Sequence, residues 1–145
     1  MPLIDLHIPA DLLSTSQQES LIQGLFQALL KCEHAANNPR AESINWLYVH
    51  EYPADKIYVA GKVRPKPHYR IEVTVMAGML TEAVKKQVTE DMTRRVLETE
   101  GAKVNPMNAG RVWILFHDLP EGNWAAGGKL YRLQDLMRFI RGDNQ

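Results

Sequence analysis

The chain has 145 residues, 17 basic and 17 acidic side chains, 45% apolar residues and one cysteine, Cys32. These values predict one domain, residues 1–145, with a buried core. Zero formal charge disfavours nucleic acid and anionic membranes as partners, and no apolar run is long enough to cross a bilayer. A lone cysteine excludes a disulfide framework, and the first residues lack a signal-peptide pattern, so we expect a cytoplasmic location.

The sequence repeats itself at an offset of 67 residues. Internal repeats decide the fold, because each copy is one structural unit. We place repeat 1 at about residues 2–63, a linker at 64–68 and repeat 2 at about residues 69–130. The identical pairs fall mainly on turn and aromatic residues, among them Asn38 and Asn105, Pro39 and Pro106, Trp46 and Trp113, His50 and His117, and Gly61 and Gly128.

Each repeat has the pattern of strand, helix and strand in chain order. Alternating apolar and polar residues predict the first strand, and Ser14 and Thr81 are suitable N-caps for the helices. Asn-Pro dipeptides at 38–39 and 105–106 predict the ends of those helices, ahead of aromatic-rich second strands. The predicted strands are 3–8, 44–50, 70–75 and 112–117, and residues 131–141 form a C-terminal helix.

Two tandem βαβ units predict an α+β fold with a four-stranded mixed sheet. The crossover in each unit is right-handed and its two strands are parallel, which puts both helices on one face of the sheet. The opposite face also carries apolar residues and is left bare. We expect further copies of the chain to cover it, most simply in a ring.

The residues that bear chemistry form few recognisable groups. The five histidines are scattered without metal-ligand spacing, and Gly127-Gly128 follows an aromatic segment instead of joining a strand to a helix. We therefore expect no metal and no nucleotide cofactor. The pairs His50-Glu51 and His117-Asp118 lie on strands, where neighbours point to opposite faces, so we interpret them as turn and inter-subunit hydrogen-bonding residues.

Pro2 is the remaining candidate. Removal of Met1 would make it a secondary amine at the start of a strand. An N-terminal amine has a reference pKa of about 7.7–8.0, and an apolar pocket lowers that pKa by disfavouring the charged form. Such an amine is suited to act as a general base near neutral pH.

Pro2 before the strand 3–8, followed by a duplicated helix, aromatic strand, Pro turn and Gly-Gly hairpin, resembles the tautomerase superfamily. Val49-His50 with Pro53, and the stretch from Arg111 to Asn123, are most similar to its macrophage migration inhibitory factor branch. The resemblance implies an N-terminal proline as general base, no cofactor, and a homotrimer with pockets at the subunit boundaries. It also implies that Lys31 binds the substrate carboxylate and that Trp113 reaches a neighbouring subunit's pocket.

The resemblance has departures that bear on the reaction. Dehalogenases of the superfamily need a helix histidine, two arginines, a tyrosine and a glutamate. Those positions here are Leu29, Met76, Met79, Leu115 and about Ala126. Hydrolytic dehalogenation is therefore disfavoured, and an anionic substrate needs a cation from elsewhere in the chain.

These observations favour a cofactor-independent tautomerase or isomerase of unsaturated or aromatic 2-keto acids, with Pro2 as the catalytic base. Lys31 or Arg70 would hold the carboxylate, and Trp113 and Trp124 would wall the pocket. The partner is a small-molecule carboxylate. The alternatives are a catalytically silent trimeric binding or scaffold protein of the same fold, and a Pro2-dependent hydrolytic dehalogenase.

Overall fold

The protein is described by a computed structural model that covers residues 2–32 and 35–143. Met1, whose removal we expect, and His34, one of the five histidines, lie outside the described residues. In chain order the elements are β1 (Leu3–Pro9), α1 (Thr15–Cys32), α2 (Pro39–Ser43), β2 (Trp46–Tyr52), β3 (Tyr58–Val59), β4 (Lys62–Val63), β5 (Tyr69–Met76), α3 (Glu82–Glu100), α4 (Pro106–Ala109), β6 (Val112–Leu119), β7 (Trp124–Ala126), β8 (Lys129–Tyr131) and α5 (Leu133–Arg141).

Four of the strands form the central sheet, in the order β2-β1-β5-β6. β1 is parallel to β2 and β5 is parallel to β6, as the two βαβ units predict, and the units join through antiparallel β1 and β5. In that central ladder Leu3 lies opposite Thr74 and His7 lies opposite Arg70. The predicted α+β fold with a four-stranded mixed sheet is confirmed.

α1 and α3 cover one face of this sheet and enclose the core. Ser14 and Gln17 form the capping box that begins α1, and the Thr81 hydroxyl accepts from the Val84 amide at the start of α3. The apolar side chains on the inner faces of α1 and α3 pack against the inward side chains of β1 and β5. The largest fully buried members of this core are Ile4, Leu6, Ile8, Leu21, Leu25, Leu29, Ile71, Val73, Val75, Met92 and Leu97.

The two Asn-Pro dipeptides begin short helices, which the sequence analysis did not predict. The side chain of Asn38 accepts from the amides of Arg40 and Ala41, and that of Asn105 accepts from the amide of Asn108. An asparagine N-cap followed by proline at the first helical position is a favourable start for a helix. α2 extends to Ser43, and β2 therefore begins at Trp46, two residues later than predicted.

α5 fixes the hairpin β7–β8 against the sheet. Leu136 of α5 packs with Met76, and Trp124 and Tyr131 of the hairpin pack against the same pair. At the other end of α5 the Ile140 carbonyl accepts from the Asn38 side chain. α5 thus holds the hairpin and α2 at the end of the sheet where β1 begins.

An ion pair between Arg111 and Glu100 anchors the second repeat. Both side chains are nearly buried, and the two guanidinium Nη atoms donate to the two carboxylate oxygens at 2.7 and 2.6 Å. The Tyr69 hydroxyl also donates to Glu100, at 3.1 Å. Hydrogen bonding from Arg111 is the main reason that the pKa of the Glu100 carboxyl lies below its ordinary value.

Replacing Arg111 with Met should lower the free energy of unfolding by about 3 kcal/mol, because Glu100 would keep its buried charge without a partner. Urea unfolding at pH 7 measures this loss. The lowered pKa means that the pair stabilises the fold fully above the unfolded pKa of Glu100, and this stabilisation is lost as the pH falls through the folded value. The difference between wild type and Arg111→Met should therefore shrink on acidification.

A matched control is Arg132→Gln, which removes an exposed pair with Glu121. That change should cost about 0.5 kcal/mol or less. Equal losses in the two variants would contradict the anchoring role of Arg111.

Candidate active site

Pro2 lies buried beside the start of the central sheet. Its carbonyl accepts a hydrogen bond from the amide of Trp46 at 3.3 Å, which extends the β1–β2 ladder by one residue. The position of Pro2 is therefore fixed by the sheet itself. A cavity of about 580 Å³, which we call the Pro2 cavity, opens at this residue.

The Pro2 cavity lies where six elements meet. They are the starts of β1 and β2, the ends of β5 and β6, the end of α2, and β7. Its walls are mostly apolar and include three aromatic side chains, and three small polar side chains interrupt them. None of its lining residues that the structure describes carries a charge. The aromatic residues are Trp46, Tyr48 and Trp124, and the polar ones are Ser43, Thr74 and Asn123.

This environment favours the neutral form of an amine at Pro2. Apolar walls remove solvent from an ammonium group, and no lining carboxylate is present in the described residues to stabilise its charge. Asn123 and Thr74 are neutral hydrogen-bond donors that can meet an oxygen of a bound molecule. The arrangement suits transfer of a proton to and from carbon or oxygen of a small, flat compound.

The other predicted site residues divide among three cavities. Trp124 lines the Pro2 cavity. Lys31 lines a separate cavity beside α3, with Asp91 and Arg94. Arg70 and Trp113 line a cavity of about 590 Å³, which we call the Arg70 cavity. Arg70 lies opposite His7 in the ladder, at the other end of β1 from Pro2, so a single chain does not bring Arg70 and Pro2 together.

The Arg70 cavity is the repeat-related counterpart of the Pro2 cavity. Thirteen residues line each of them, and twelve of the thirteen correspond at the 67-residue offset. Pro2 corresponds to Tyr69, Trp46 to Trp113, and Asn123 to Lys56. The sequence analysis did not propose Trp46 or Asn123 as site residues. Trp46 could have been found, because the 67-residue offset relates it to Trp113, which was proposed.

Between the two cavities, the open face of the sheet carries a hydrogen-bonded network. His7 Nε2 and His117 Nε2 contact the two oxygens of Glu72 at 2.8 and 3.0 Å, and His50 Nε2 contacts Asp5 at 2.6 Å. Among the described residues, neither His50 and Glu51 nor His117 and Asp118 form a side-chain hydrogen bond within the pair. Each histidine instead bonds to a carboxylate on the neighbouring strand, as the alternation of side chains predicts.

The network shifts the pKa values of two members. Burial and the nearby Arg70 guanidinium lower the pKa of His7, although its bond to Glu72 opposes the shift. The hydrogen bond from His117 is the main cause that lowers the pKa of Glu72. The open face at neutral pH therefore combines a neutral His7 with a charged Glu72.

Replacing Arg70 with Gln should raise the pKa of His7, because a positive charge that disfavours the imidazolium is removed. Long-range ¹H–¹⁵N NMR across a pH titration measures the midpoint for His7. Arg94→Gln, which removes a cation from the helical side of the sheet, should leave that midpoint unchanged. A midpoint that stays fixed or falls in Arg70→Gln would contradict the assignment.

Among residues 2–32 and 35–143, no group of three or more His, Cys, Asp and Glu side chains is arranged to hold a metal ion. No helix within those ranges has the length and hydropathy needed to span a membrane.

Comparison with known proteins identifies the fold. No family model matches the sequence, and neither does any curated protein. Solved structures do match. A fused 4-OT (4-oxalocrotonate tautomerase), F6, in an asymmetric trimer is 22% identical with a TM-score of 0.71, covering 88% of this chain and 94% of that one.

Two other similar structures come from different branches. Macrophage migration inhibitory factor of Toxoplasma gondii is 13% identical with a TM-score of 0.68, covering 89% of this chain and 99% of that one. N1, a member of the cis-3-chloroacrylic acid dehalogenase family, is 19% identical with a TM-score of 0.70, covering 88% and 82%. The chain therefore has the fold of the tautomerase superfamily.

Proposed function

We propose that this protein is a cofactor-independent tautomerase of unsaturated or aromatic 2-keto acids, with Pro2, freed by removal of Met1, as the general base. The observation that carries the proposal is the burial of Pro2 in an aromatic-walled cavity without a charged lining residue among those described. The fused 4-OT among the structures with this fold supports a tautomerase over the other reactions of the superfamily.

The reaction moves one proton within the substrate. The neutral amine of Pro2 takes the proton from the enol oxygen, the carbonyl forms, and the resulting ammonium returns the proton to the adjacent carbon. The reverse sequence forms the enol. Asn123 and Thr74 would donate hydrogen bonds to the enolate oxygen, where negative charge develops. Trp46 and Trp124 would hold the flat body of the substrate beside the amine.

The carboxylate of the substrate needs a cation that the Pro2 cavity of one chain does not contain among its described lining residues. We propose a homotrimer, in keeping with the trimeric fused 4-OT, in which the pockets lie at the subunit boundaries. In that assembly Lys31 remains the candidate for the carboxylate, whereas Arg70 and Trp113, which the sequence also suggested for this pocket, line the Arg70 cavity of their own chain.

The first test is the state of the N-terminus and the effect of Pro2→Ala. Intact-mass spectrometry should show the loss of one methionine. Pro2→Ala should lower kcat for phenylpyruvate and 2-hydroxymuconate ketonisation by about 10²-fold, because the positioned base changes. An acetylenic 2-keto acid should add covalently to the Pro2 nitrogen of the wild type. Retention of Met1, or equal rates in the two proteins, would overturn the assignment of Pro2 as the general base.

The second test concerns Asn123. Asn123→Ala removes the proposed donor to the enolate oxygen and should lower kcat by about 10²-fold. Steady-state kinetics with phenylpyruvate measures this change. Leu130→Ala is a matched control on the neighbouring hairpin strand: Leu130 is exposed and lies outside the Pro2 cavity. A loss of the same size in both variants would assign the effect to the hairpin and not to the Asn123 amide.

A further inference from the structure

The Arg70 cavity has the features of a binding site in its own right. Its volume of about 590 Å³ lies within the range of small-molecule sites, and it combines aromatic walls with cationic side chains. We propose that the Arg70 cavity binds an aromatic carboxylate at a site separate from Pro2. The proposal does not depend on catalysis at Pro2.

The cavity contains three cations, of which two are available to a ligand. Arg111 is 7% exposed and its Nη atoms are held by Glu100 and the Pro67 carbonyl. Arg70 is half exposed and makes only long contacts, at 3.6 Å to Glu72 and 3.4 Å to His7 Nδ1. Lys56 is exposed, and its ammonium has no hydrogen-bond or ion-pair partner in the described residues. Lys56 and Arg70 can therefore both turn to a carboxylate.

The aromatic part of the ligand is indicated by two exposed rings. Trp113 is 66% exposed and Tyr58 is 61% exposed, and both line this cavity. Large aromatic side chains that a chain leaves exposed around a concave surface are typical of a recognition site. A flat apolar ring can cover them while its carboxylate meets Lys56 and Arg70.

The repeat-related comparison shows that the positive charge is specific to this cavity. Lys56, Arg70 and Arg111 correspond to Asn123, Leu3 and Ile44 in the Pro2 cavity. All three cations thus replace neutral residues, in a chain whose formal net charge is zero. The two cavities have similar volumes, and each has a tryptophan at the same repeat position, but they differ in the ligand charge that they favour.

The same comparison argues for binding without proton transfer by a terminal amine. Tyr69 occupies the position of Pro2, and its backbone amide donates to the Arg111 carbonyl at 2.8 Å. Its hydroxyl donates to Glu100, and burial is the main cause that raises the pKa of this phenol. No basic nitrogen therefore stands at residue 69.

Isothermal titration calorimetry with 3-phenylpropanoate tests the proposal, since this acid has no keto group to tautomerise. We expect a site at the Arg70 cavity, beside any binding of the acid at the Pro2 cavity, with a Kd that Lys56→Gln and Arg70→Gln each weaken by about tenfold, the loss of one charge-assisted contact. The uncharged 3-phenylpropanamide should bind at least about tenfold more weakly. Lys62→Gln, which removes an exposed lysine of β4 outside the cavity, is the matched control and should leave the Kd unchanged.

The separate location is tested with protein whose Pro2 nitrogen has been blocked by the acetylenic keto acid, or with Pro2→Ala if no adduct forms. Unchanged binding of 3-phenylpropanoate supports the proposal, whatever the kinetic results at Pro2. The proposal is overturned by absence of binding, by binding that ignores both charge variants, or by binding that Pro2 modification abolishes. Trp113→Phe should also remove the ligand-induced change in tryptophan fluorescence.

Discussion

The antiparallel pairing of β1 with β5 is the interaction on which the rest of the structure depends. Each βαβ unit alone is a two-stranded sheet with one helix, too small to enclose a core. Their pairing makes a four-stranded sheet that both long helices cover. Because the pairing is antiparallel, equivalent residues of the two repeats lie at opposite ends of the sheet. Pro2 and Tyr69 are therefore far apart in one molecule, although they occupy the same place in their repeats.

This arrangement explains how far the sequence could predict the fold. The 67-residue offset and the period of the apolar residues were sufficient for the strands, the helices and their layers. The Asn-Pro dipeptides were wrongly interpreted as helix ends: α1 and α3 end earlier, at Cys32 and Glu100, and the dipeptides instead cap and begin α2 and α4. Because α2 takes up Pro39–Ser43, β2 begins at Trp46, two residues later than predicted.

The candidate site was less predictable because it depends on which ends of the strands meet. Trp124 lies in the Pro2 cavity as expected, since the hairpin β7–β8 folds back on the end of β6. Arg70 opens the predicted third strand, in the repeat-related neighbourhood of Pro2, which suggested that its guanidinium could approach the Pro2 amine. The antiparallel ladder places it opposite His7 instead. The resemblance also implied that Trp113 reaches a neighbouring subunit, and contacts between separate chains are not encoded in any local pattern.

The position of Pro2 and Tyr69 within the chain has a consequence for maturation. Under the proposed removal of Met1 the nitrogen at residue 2 becomes an amine, whereas the nitrogen at residue 69 stays in a peptide bond for the lifetime of the protein. Post-translational trimming can thus alter one end of the sheet and leave the other as translation made it. A cell that removed Met1 from only some copies of this protein would contain two populations. They would be identical at the Arg70 cavity and would differ in whether residue 2 carries a basic amine.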